Sequence, residues 1–221
     1  MKKRIDEMVI HMKKDGSIVV EEDRDGMLTS KYITPEDLAL CIGKGILQSG
    51  IDSGALPDNC VWYREEMDGT RRVIIRFPAQ VMDITYHDTV YTIPVPNMIF
   101  GFVVSTDGRI LRAKQAIIED GTIRMESKLY YYPFSNVNQD SFDICVGSNP
   151  LPMIKELRQL TTIPHWILSL PNNDHMFDTR YNTLGLGYRE MLKYMSAVEL
   201  GNVYSILLES GKNLKLMMLA L

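Results

Sequence analysis

The sequence predicts an α+β fold: an N-terminal strand-rich extension, a helix, an antiparallel meander, an irregular loop and closing helices. Three observations carry this. Between Val61 and about Met125, apolar and charged residues partly alternate in short runs separated by turn residues. From about Tyr130 to Pro152 the chain is rich in Tyr, Pro, Asn, Ser and Asp and has no regular period. Helical spacing returns only after Met153. Strands grouped together and helices grouped after them give an α+β order.

Taken in order, Ile5 to Met12, Ser17 to Glu21 and Met27 to Ile33 read as strands, turned at Asp15-Gly16 and Asp25-Gly26. Thr34-Pro35-Glu36-Asp37 reads as a helix start, with Thr34 as N-cap, Pro35 at the first helical position and acids in the first turn. Leu38, Cys41, Ile42 and Ile46 then fall on one apolar stripe, which predicts a buried Cys41, and Gly50 is the expected stop. The meander candidates are Val61 to Tyr63, Arg72 to Phe77, Gln80 to Tyr86, Thr89 to Val95, Met98 to Val104 and Arg109 to Ile118. Asp68-Gly69, Pro78, His87-Asp88 and Asp107-Gly108 break them. Met153 to Leu160 and Tyr188 to Val198 carry helical patterns, and Asn202 to Leu221 a weaker apolar run. This divides the chain into residues 1–60 and 61–221, expected to form one compact unit.

Composition removes several function classes. With 24 basic and 28 acidic residues the formal charge is −4, and no basic patch of the kind nucleic acid requires is present. Met1-Lys2-Lys3-Arg4 is followed by Ile5-Asp6-Glu7 rather than an apolar run, so no secretory signal is expected. Met98 to Val104 is too short to span a bilayer, which leaves the cytoplasm as the expected compartment and no membrane partner. The three cysteines, Cys41, Cys60 and Cys145, form no CxxC and read as free thiols. The four histidines have no metal-ligand spacing, and there is no phosphate-cradling glycine loop. Neither a metal nor an organic cofactor is expected.

Cys145 stands apart because it lies in a polar loop with Gly147-Ser148 just beyond it. A nucleophilic thiol needs access and thiolate character, which such a loop can give and a core position cannot. The dull alternative is a small buried hydrophobe. Asn136 upstream could donate its amide to an oxyanion, or simply cap a turn. His175, in Pro171-Asn172-Asn173-Asp174-His175, is a candidate base or an exposed loop residue. His165 is expected only to pack, and Asp174 could accept the ring N–H of His175.

Phe134-Ser135-Asn136, a polar turn and Ile144-Cys145-Val146 resemble the active-site stretch of the ubiquitin-conjugating (UBC) enzymes, and the order Pro94-Val95-Pro96-Asn97-Met98-Ile99-Phe100, Pro133-Phe134-Ser135-Asn136-Val137 and Cys145-Val146-Gly147-Ser148 gives a nearer likeness. The nearer likeness is to their bacterial branch, prokaryotic family D, which includes protein B of the PRTRC gene cluster. The likeness covers about Val73 to Phe177. The eukaryotic His-Pro-Asn tripeptide is represented by Phe134-Ser135-Asn136, and nine positions separate Asn136 from Cys145, so an insertion is required. The resemblance implies a UBC-like meander flanked by helices. Cys145 would carry a ubiquitin-like modifier as a thioester, with His175 and Asn136 assisting transfer to a nucleophile. It further implies a ThiF-like activating enzyme and a JAB-type metalloprotease as partners, with ATP consumed by the activating enzyme. Two other functions stay open: a UBC-fold adaptor that has lost the chemistry, and a cysteine hydrolase using Cys145 and His175.

Overall fold

The computed structural model describes residues 8–24, 27–48 and 54–221. The chain divides into two compact units, Met1–Asp52 and Ser53–Leu221. In the first, β1 (Met8–Met12), β2 (Ile18–Arg24) and β3 (Met27–Ile33) form an antiparallel sheet in sequence order. Helix α1 (Pro35–Gln48) follows. Its start is capped as expected: the Asp37 N–H donates to Thr34 Oγ1 at 3.0 Å, and the Thr34 N–H donates back to the Asp37 carboxylate at 3.3 Å. Ile42, placed on the apolar stripe, is instead exposed. The Asp25-Gly26 turn, the Gly50 stop and the Cys41 side chain lie outside what is described.

The second unit is strand-rich, with a mainly antiparallel sheet and few helices. Its strands are β4 (Cys60–Glu65), β5 (Arg71–Phe77), β6 (Gln80–Tyr86), β7 (Thr89–Val95), β8 (Met98–Val104), β9 (Ile110–Ile118), β10 (Lys128–Tyr130) and β11 (Glu209–Asn213). Six form one sheet in the order β11-β10-β9-β8-β5-β4. A simple meander is therefore corrected: among the described strands β6 and β7 pair with each other and not with the six-stranded sheet, and β5 pairs directly with β8, Phe77 opposite Met98. The reason is burial. Every residue of β8 is buried, so the strand needs neighbours at both edges and cover on both faces. The β6–β7 hairpin lends Ile84, Tyr86, Tyr91, Ile93 and Val95 to the core instead of joining the sheet.

The other face is covered by the C-terminal helix α4 (Leu214–Ala220), which buries Leu214 and Met217 against Ile74, Ile99 and Ala116. Gly101 of β8 is small for this contact: an added Cβ would lie 2.9 Å from Leu221 Cδ1. Helical structure after the meander begins later than expected. Met153 to Glu156 is not helical; a 3-10 segment spans Leu157–Thr162 and runs into α2 (Ile163–Leu168). The Ile154 N–H is held by Gly108 O at 2.9 Å, and Met153 bridges Arg109, so this backbone is committed to a strand end. Helix α3 (Tyr188–Met195) stops before Val198, and the Asn202 to Leu221 run divides into a 3-10 segment, β11 and α4. No helix among the described residues is long and apolar enough to cross a membrane.

Candidate functional site

Cys145 ends a short extended segment held between two neighbours. On one side the Gln115 N–H donates to Phe142 O at 2.9 Å and the Ile144 N–H to Ala113 O at 3.0 Å, setting Asp143 opposite Lys114 of β9. On the other, the Asn138 N–H donates to Asp143 O at 2.9 Å and the Cys145 N–H to Asn136 O at 2.8 Å. The segment between Asn136 and Cys145 is thus a tight hairpin that returns the chain to its starting point. Its tip is an Asx turn, with the Asn138 side-chain oxygen accepting from the N–H groups of Asp140 and Ser141, both at 3.0 Å.

Two residues of this hairpin take left-handed backbone: Asn136 at φ 68° and Phe142 at φ 62°. Asn tolerates that region, whereas for Phe it costs on the order of 1–3 kcal/mol. Burial holds Phe142 there, in the α4-side core, with the Lys212 ammonium 4.9 Å above its ring. A buried lysine secures the rest. Lys114, with a side chain 3% exposed, places Nζ 2.9 Å from Asp143 Oδ1 and donates to Ser141 O at 2.6 Å. Partial burial pushes the Asp143 carboxyl up, but the Ser141 hydroxyl and the Lys114 and Arg112 charges outweigh it and hold the group below the usual carboxylate range.

The loop carrying His175 is tied to the same region. The Asn172 N–H donates to Thr85 O at 2.8 Å, the buried Ser135 hydroxyl donates to Asn172 Oδ1 at 3.0 Å, and the Asn136 amide donates to Pro171 O at 3.3 Å. Asp174 accepts from the Tyr86 hydroxyl at 2.6 Å, which anchors the loop to β6. The exposed His175 is fixed through its backbone N–H, which donates to Asn173 Oδ1 at 2.8 Å. Met176, the next residue, is again left-handed at φ 65°.

These ties gather the singled-out side chains. An open cavity of about 230 Å³ is lined by Asn136, Cys145, Pro171, Asn173, His175 and the 146–149 turn. Cys145 is half-buried. Cys60 is half-buried too, but its thiol is bonded to Trp62 O at 3.5 Å, and burial pushes its pKa up. Phe134 is core, stacked edge-on to Tyr132. His165 packs its ring 4.9 Å from Phe77. Among the described residues no group of three His, Cys, Asp or Glu side chains converges on one point.

Sequence reading missed Lys114 and the Ser135–Asn172 pair. The signal for the first was available: a lysine in Ala113-Lys114-Gln115-Ala116-Ile117-Ile118 sits in a strand buried on both faces and needs an acidic partner. The second had no local signal. Comparison with known proteins gives no relative: no family model, curated protein or solved structure matches the chain.

Proposed function

We propose that the second unit is a ubiquitin-conjugating-like module of the cytoplasm in which Cys145 carries the C-terminus of a ubiquitin-like modifier. The observation that carries this reading is the shared cavity: Cys145, Asn136 and His175, chosen from three separate segments of the sequence, line one open space. The order of sheet, Asn–Cys hairpin and short helices supports a UBC-like architecture, with the β6–β7 hairpin and the added β10 and β11 as its departures. The Cys145 thiolate attacks the modifier's acyl group on a ThiF-like activating enzyme, whose own thiol leaves, and the new thioester is then opened by an amine. His175 takes the proton from the incoming amine. The Asn136 amide nitrogen carries two N–H groups: one ties it to Pro171 O at 3.3 Å, and the second can donate to an oxyanion. A JAB-type metalloprotease fits the same system as the enzyme that removes the modifier.

The test is incubation of the protein with ATP, a ThiF-like enzyme and its modifier. A reductant-sensitive adduct is expected on the wild type and none on Cys145→Ala; no adduct on either removes the reading. The Cys145–His175 cavity also favours a cysteine hydrolase, whose signature is ester or peptide turnover without ATP. The buried Phe134, which puts a core side chain where the tripeptide has its histidine, favours an adaptor, whose signature is binding to the same partners with neither adduct nor turnover.

A further inference from the structure

Lys114 is the most deeply committed charge beside the candidate thiol. Its ammonium reaches two points of one hairpin, the Asp143 carboxylate at 2.9 Å and Ser141 O at 2.6 Å. The segment it holds is extended at Asp143 and Ile144 and ends on Cys145. In extended chain the residues i and i+2 lie ~7 Å apart and share a face. Asp143 is therefore the nearest acid in sequence to the sulfur, and a carboxylate at that range opposes thiolate formation unless its charge is matched. The hairpin also carries the left-handed Phe142, a conformation kept only if the surroundings over-determine it.

We propose that Lys114 is a positioning residue for Cys145: it clamps the strained hairpin through Ser141 O and, by matching the Asp143 charge, keeps the thiol able to ionise. This rests on the reading of Cys145 as a reacting thiol and adds the device that sets its reactivity. The held-down Asp143 carboxyl agrees with the pairing. The other titratable groups on the elements packed here are Arg112 on β9, Tyr132 and His175, the Tyr86-bound Asp174, and Asp140 and Lys212 at the hairpin tip. All remain in the variants below.

The test is the pH dependence of Cys145 alkylation by iodoacetamide, in a background with Cys41→Ser and Cys60→Ser. Lys114→Met is expected to raise the thiol titration by about half to one unit, from one unmatched charge ~7 Å away. Asp143→Asn is expected to lower it, and the double variant to return it near the starting value. A folded Lys114→Met protein with an unchanged titration overturns the proposal, as does a double variant that stays shifted. Should Lys114→Met fail to fold, Asp143→Asn decides: a lowered titration supports the proposal and an unchanged one overturns it. Thiol titration needs neither ATP nor modifier, so a shift in the absence of any thioester sustains the positioning role and removes only conjugation.

Discussion

His175 and Tyr63 show how far a single side chain can be argued. His175 lines the Cys145 cavity, and its backbone N–H is held by Asn173 Oδ1. His175→Ala is expected to slow thioester discharge by about 10²-fold or more while leaving thermal unfolding unchanged; a wild-type discharge rate would remove the imidazole from the chemistry. Tyr63 concerns stability. Burial and a 2.8 Å hydrogen bond to Glu65 push its pKa from 10.0 up to about 12. The folded state therefore holds the proton longer than the unfolded state. The resulting stability is complete below pH 10 and is lost as pH rises from about 10 to 12. Tyr63→Phe is expected to flatten that part of the alkaline decline in urea-unfolding stability, against the wild-type slope.

At the scale of elements, two contacts decide how strands and helices meet. Gly108 turns β8 into β9 at φ +84°, and a Cβ there would lie 1.9 Å from Ile154 O. Gly108→Ala is expected to cost about 3 kcal/mol or more, since the backbone conformation and the approach of Ile154 both oppose it. The same contact explains why the Met153 to Leu160 pattern does not become a helix there: the 153–154 backbone is already bonded to the turn. Met217 of α4 is 1% exposed against the second face of the sheet. Met217→Ala is expected to cost about 2–4 kcal/mol through the cavity it leaves. Denaturant unfolding measures both, and a loss below about 1 kcal/mol for Met217→Ala would mean that α4 packs loosely.

At the scale of the molecule, every residue of the two hydrophobic cores comes from Cys60 onward, within the unit Ser53–Leu221. A chain of residues 54–221 is accordingly expected to fold alone, with one cooperative urea transition and the near-ultraviolet aromatic signal of Tyr132, Phe134 and Tyr188 intact. A broad, non-cooperative transition would show that the first unit is needed for stability.

Local signals in the sequence determined what depends on a few neighbouring residues. The Thr34 cap, the Asp-Gly turns at Gly69 and Gly108 and the strand segments all follow from backbone preferences that act within four residues. So does the accessibility of the Cys145 loop, since polar turn formers cannot be buried without partners. Which strand pairs with which was decided only in three dimensions. The all-buried β8 took β5 as its neighbour and sent β6 and β7 out as cover, because filling both faces of a sheet is a property of the whole core. The approach of Asn136 to Cys145 was decided there too. Eight intervening residues look like separation in sequence, yet a hairpin held by Lys114 from another strand brings the two ends to a 2.8 Å hydrogen bond.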